Sequence, residues 1–305
     1  MKQLVLVERI CAIGHGLSMA FGIIGLLYVM PNPDFVASLP PLGLQVFQWS
    51  LSLGGVGYIV LGALAMVLFL GQSVGWRRCA LFFVPAVALS LGSELLGTST
   101  GFPFGAYHYL TGLGYKVAGL VPFTIPLSWF YMGALCYVLA RAVLEVLKAP
   151  VWVQRFGAVA VGAVLLTGWD LVLDPAMSQT AFPFWEFEEV GAFFGMPYRN
   201  LSGWVGTGAV FMTVAALLWN SKPVNLTRDR GALLAILYVV NFGFGAIITL
   251  GSLDSQFWIP TALSVLVGVV PVLVGWWLLP TREAAAAIAP DQDLSAVRPL
   301  EVVAK

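Results

Sequence analysis

The sequence predicts an all-α, polytopic membrane bundle of about eight transmembrane helices with both termini cytoplasmic. Three observations carry this. First, 59% of the 305 residues are hydrophobic and only 10% charged, against roughly 45–50% and about 25% in soluble domains. Second, apolar runs recur at 10–30, 50–71, 78–98, 122–147, 152–173, 201–219, 231–250 and 257–279. Each is about 20 residues, enough to cross a hydrocarbon core of about 30 Å. Third, with an inner N-terminus and eight spans, 13 of the 15 Lys and Arg residues fall in inner segments, leaving only Lys116 and Arg199 outside. That is the bias expected of a membrane topology.

The expected domains follow directly. Residues 1–280 form the transmembrane helical domain, and 281–305 form a cytoplasmic tail, polar and low in aromatics, that reads as disordered. The first run follows Lys2 and Arg9, but it is too long for the core of a signal peptide and is read as a span. His15 lies in it and reads as a buried hydrogen-bonding residue rather than a catalyst. Zero net charge and no basic tract exclude nucleic acid as a partner and leave the lipid bilayer. Cys11, Cys79 and Cys136 sit singly within apolar runs and read as packing residues, with no metal spacing. Most tryptophans, including Trp219, Trp258, Trp276 and Trp277, fit interfacial anchors.

The informative stretch runs from Glu94 to Tyr109, E-L-L-G-T-S-T-G-F-P-F-G-A-Y-H-Y. An acid near the end of a span is followed by glycines and a proline, which stop a helix and allow close backbone approach. Ionisable groups at the rim of a span point to function. Asp170 and Asp174 end the fifth run with i, i+4 spacing, which puts them on one helix face if the helix continues that far. Pro175 is expected to take the chain out of that helix. Both outer loops contain Phe-Pro-Phe, eight residues after Glu94 and eight after Asp174, and each is followed by a tryptophan opening the next span, Trp129 and Trp204.

Glu94, Asp170 and Asp174 are therefore placed at one depth near the outer face. A carboxyl in low dielectric holds its proton more readily, and a second carboxyl reinforces this for one of the pair. Such a site offers acid and base together. Phe102, Phe104, Tyr107, Tyr109, Trp129, Trp169 and Trp204 supply rings whose faces stabilise a cation. Arg199 could be a counter-ion to Asp174.

Four motifs in order resemble the carotenoid-biosynthesis membrane family that contains the CruF-type carotenoid 1,2-hydratases. They are E-x-x-G-T-x-T-G-x-P-F-G-x-Y-x-Y (94–109), V-P-x-x-I-P-L-x-W (121–129), W-D-L-x-x-D-P (169–175) and G-x-P-x-x-N-x-x-G-W (195–204). The resemblance implies cofactor-independent addition of water to the terminal C1–C2 double bond of an acyclic ψ end group, as in lycopene or γ-carotene. It implies a carotenoid substrate and an integral protein of a bacterial inner membrane, plasma or thylakoid. Within that expectation one of Glu94, Asp170 and Asp174 is the proton donor, with Asp174 or Glu94 favoured. A second positions and deprotonates water, the aromatic residues line the end-group pocket, and Asn200 and Tyr107 orient water. No cofactor or metal is expected, and the oligomeric state is left open.

Two other classes compete. A membrane prenyltransferase wants Asp-rich DDxxD-like motifs for Mg²⁺ and basic groups for diphosphate. This chain has D-L-V-L-D and two outer cations. A lipid transporter would place its charges near the midplane between inverted repeats, whereas these acids sit at one rim.

Overall fold

In the computed structural model, which describes residues 2–219 and 222–284, the apolar runs become helices that overrun the bilayer-length windows. Helix α1 spans Lys2–Ile24 and continues through one wider turn, Gly25–Val29. A short helix, α2 (Pro33–Ala37), leads to α3, Pro41–Ser73. At 33 residues α3 is about 50 Å long at 1.5 Å per residue, well beyond the hydrocarbon core. Helix α4 (Trp76–Thr100) ends on Gly101, whose φ of 78° closes the helix in the left-handed conformation glycine adopts without cost.

Strands β1 (Tyr107–Tyr109), β2 (Lys116–Val117) and β3 (Val121–Pro122) occupy the next loop. Helices α5 (Thr124–Val146) and α6 (Ala158–Ser178), strand β4 (Trp185–Phe187) and helices α7 (Tyr198–Leu218) and α8 (Arg228–Ser252) follow. The last span is α9 (Trp258–Ser264) and α10 (Val270–Leu278), joined by a wide turn at Val265–Val269 just before Pro271. A proline removes one backbone donor, and a local wide turn is a standard way of absorbing it. Among the described residues, eight helices are long and apolar enough to cross a membrane. The architecture is thus an all-α polytopic membrane bundle. The expected tail from residue 285 onward lies outside the described residues.

Helix α5 is the axis of the bundle. Its residues from Trp129 to Ala142 are all buried, and it packs against α3, α4, α6, α7, α8 and α10. Glycines bring the helices close. A Cβ at Gly162 would lie 3.2 Å from the Tyr137 backbone, and one at Gly245 would lie 2.9 Å from the Val172 carbonyl oxygen. His15 joins four helices. Its Nδ1 donates to the Tyr58 carbonyl (2.7 Å), and its Nε2 accepts from Asn241 Nδ2 (2.9 Å). Tyr131 donates to Asn241 Oδ1 (2.7 Å). These bonds satisfy a neutral imidazole, as a buried histidine requires. Glu8 is buried and takes a forked pair of 2.6 Å bonds from Arg230 across α1 and α8. The three cysteines are buried and unpaired. Trp219 departs from the anchor expectation: it is buried, and its Nε1 donates to the Arg78 carbonyl.

The second departure concerns Pro175. Helix α6 runs through it to Ser178. Proline cannot donate a backbone bond, but the turn is held from outside that position. Ser178 Oγ donates to the Asp174 carbonyl (2.7 Å), and the Gln179 amide bonds to the Pro175 carbonyl (3.1 Å). The extra turn keeps Asp170 and Asp174 on one helical face.

Candidate functional site

The two Phe-Pro-Phe loops meet at one end of the bundle. Strand β1 pairs antiparallel with β4, setting Tyr107 opposite Phe187, His108 opposite Glu186 and Tyr109 opposite Trp185. Side chains alternate across a strand. Tyr107, Tyr109 and Trp185 are buried, while His108 and Glu186 lie outside, 3.7 Å apart. The pair is a lid whose inner face carries hydrogen-bond donors.

Below it, α4 supplies Glu94, α6 supplies Asp170 and Asp174, α5 supplies Trp129, and α7 supplies Asn200 and Trp204. All three carboxyls are at least 96% buried. Glu94 Oε2 accepts from the Tyr107 and Tyr109 hydroxyls, the latter at 2.8 Å, and Oε1 accepts from Trp129 Nε1 at 2.8 Å. Asp174 Oδ1 accepts from Trp185 Nε1 at 2.9 Å, and its Oδ2 accepts from Asn200 Nδ2. The same amide nitrogen lies 3.1 Å from Asp170 Oδ2. Asp170 Oδ1 is buried with no partner, as are Trp169 Nε1 and Thr207 Oγ1.

The three acids thus differ in what they receive: three donors, two and one. Among the described residues no Lys, Arg or His side chain pairs with any of them. Arg199 is exposed and forms no ion pair among the described residues, so it is not the counter-ion to Asp174 that its sequence position allows. Its place in the first turn of α7 turns it away from the face that carries Asn200. Burial, and then the Glu94 carboxylate, push the Tyr107 and Tyr109 phenols well above the usual phenol range, so both remain donors.

Glu94 and Asp174 face a common cavity of about 40 Å³, walled by Phe104, Tyr107, Tyr109, Trp129, Trp185 and Trp204. Trp129 and Trp204 stack with centroids 4.1 Å apart. Asn200 and Ser128 add polar atoms. Most expected site residues converge here. Three do not reach the cavity wall. Phe102 stands 70% exposed at the loop tip. The loop turns between it and Phe104, so only the second phenylalanine points inward. Asp170 lies one turn deeper on α6 than Asp174 and touches the site through Asn200. Trp169 lies behind Trp204, edge to face at 6.0 Å. Trp185 is a site residue that the sequence motifs do not single out. The alternation of W-E-F was its only trace, and a three-residue strand is too short to read that way.

A cluster of buried acids thus lies beneath an aromatic lid at one end of a membrane-type helix bundle. The chain belongs to the carotenoid biosynthesis protein family, whose model matches residues 54–271. It is similar to the bisanhydrobacterioruberin hydratase of Haloarcula japonica, with 36% identity over 134 residues, 44% of this chain and 43% of that one. The match therefore spans less than half of the relative's length. No solved structure matches the chain.

Proposed function

We propose that this protein is a carotenoid hydratase, adding water to the terminal C1–C2 double bond of an acyclic ψ end group of the lycopene or γ-carotene type. The observation that carries the reading is a pair of buried carboxyls, Glu94 and Asp174, on one aromatic-walled cavity, with a third, Asp170, one turn behind and no Lys, Arg or His among the described residues paired with any of them. Full ionisation of all three would leave uncompensated charge in a low-dielectric interior, at a cost of several kcal/mol per ion. The cluster therefore holds a proton that it can give up. The hydratase relative supports the reaction type.

The division of labour follows the donor count for the base and access to the cavity for the acid. Three donors and no acceptor suit Glu94 as a carboxylate. Asp174 reaches the cavity and holds the transferable proton, with Asp170 behind it on the shared Asn200 amide. Asp174 gives its proton to C2, and the π electrons form the new C–H bond. The positive charge is left on the more substituted C1, beside the aromatic wall of the cavity, where ring quadrupoles stabilise it. Water held by Glu94 attacks C1, and Glu94 takes the released proton. Return of that proton to Asp174 closes the cycle, so none is consumed and no cofactor is required.

The test is expression in a lycopene-accumulating bacterium, with mass analysis of the pigments for a gain of water. The wild-type chain is expected to yield the tertiary alcohol. Glu94→Gln and Asp174→Asn are expected to lose roughly 10²–10⁴-fold in conversion, the usual worth of an acid or base. Unchanged pigment with folded wild-type protein would refute the reading. Full activity in both variants at normal protein level would refute the assigned roles.

A further inference from the structure

We infer that the space held by the Phe104 ring is the subsite for the terminal isoprenoid unit, and that the ring swings out as the polyene enters. The inference rests on the carotenoid reading above and adds where the end group sits.

The first argument is volume. A cavity of about 40 Å³ holds a few waters at most, each needing about 10–15 Å³, whereas benzene occupies a cavity of roughly 150 Å³. A branched isoprenoid end is at least benzene-sized, so a wall must move. Displacing one phenyl ring opens a space of that class.

The second argument is which wall is free to move. Tyr107, Tyr109, Trp129 and Trp185 are tied to carboxylates by hydrogen bonds. Trp204 is fixed by its stack on Trp129. Phe104 has no polar tether, and the other untethered wall residues are held by backbone structure, Ile125 in α5, Leu173 in α6 and Phe187 in the paired strand β4. The Phe104 ring is held by shape, in a slot that two glycines leave between α4 and α7. A Cβ at Gly97 would lie 2.8 Å from one ring carbon, and a Cβ at Gly203 would lie 2.5 Å from another.

The third argument is the backbone. Gly101 and Gly105 bracket the Phe102–Phe104 segment with φ of 78° and 99°. A glycine at each end gives this turn conformations that other residues disfavour. Apolar surface already flanks the slot, since Phe102 is 70% and Leu96 51% exposed. A polyene arriving from the bilayer meets that surface first and the slot next.

The experiment uses the full-length protein in nanodiscs, with lycopene quenching of tryptophan fluorescence as the binding signal and a thermal melt for each variant. In the wild type, affinity is reduced by the small fraction of molecules with the ring displaced. Phe104→Ala removes that requirement and is expected to bind about tenfold more tightly, with Phe104→Leu intermediate. Gly203→Ala in the Phe104→Ala background is expected to reverse the gain, because its methyl enters the vacated slot. Equal or weaker quenching in Phe104→Ala and Phe104→Leu, with melting temperatures unchanged, would overturn the subsite while leaving the carotenoid reading intact. Absence of quenching in the wild type and both variants would overturn the carotenoid reading and this inference with it. If Phe104→Ala does not fold, Phe104→Leu decides.

Discussion

The donor set on Glu94 gives the sharpest prediction. Tyr109→Phe removes one hydroxyl, 2.8 Å from Oε2, and Trp129→Phe removes the indole N–H, 2.8 Å from Oε1. Tyr109→Phe leaves the apolar wall in place, whereas Trp129→Phe also trims the ring stacked on Trp204. A hydrogen bond to a charged group contributes about 1.5–3 kcal/mol, so each lost donor weakens the carboxylate form by roughly 10- to 150-fold. Tyr107 still donates to Oε2 when Tyr109 is gone, whereas Oε1 has only Trp129. The larger loss is therefore expected for Trp129→Phe. Conversion of acyclic carotenoid by membranes of matched protein content measures the effect, and a thermal melt of the purified variant separates lost chemistry from lost fold. Undiminished conversion in both variants, with intact melts, would mean that Glu94 does not work as an anion, and the assignment of the base would fall.

Three further outcomes are expected. Arg230→Met strands the buried Glu8 carboxylate and should cost about 3–5 kcal/mol of stability, whereas Arg230→Met with Glu8→Gln should recover much of it; detergent melts decide. Gly245→Ala pushes a methyl against the Val172 carbonyl oxygen, 2.9 Å away, which backbone cannot easily yield, so a loss of about 1–3 kcal/mol is expected from overpacking. The Tyr107 and Tyr109 phenols ionise near 10.0 in the unfolded chain and well above that in the folded one. Their contribution is thus complete below about pH 10 and declines as pH rises beyond it. A fall in melting temperature above about pH 10 should be shallower in Tyr107→Phe/Tyr109→Phe, and an equally steep fall would contradict the assignment.

Much of the site is legible in the sequence because the acids stand at the ends of apolar runs. Glu94 and Asp174 can be placed at one depth by counting spans. Their partners cannot be found that way. Trp185 lies 11 residues beyond Asp174 and donates to it only because the lid folds back. Tyr107 and Tyr109 face inward because β1 pairs with β4, a contact between two loops nearly 80 residues apart in the chain. Phe102 and Phe104 look alike in the motif, yet the turn buries one and exposes the other. Pro175 reads as a helix end, and local bonds at Ser178 and Gln179 carry the helix past it.

The sequence by itself determined the class of molecule and the depth of its acids, because hydrophobic run length is a local property that the bilayer reads directly. Only the tertiary structure decided which acid receives three donors, which receives two and which keeps a bare oxygen. Hydrogen bonds act over about 3 Å, and what lies within that reach is set by how the lid and four helices pack, which no local pattern records.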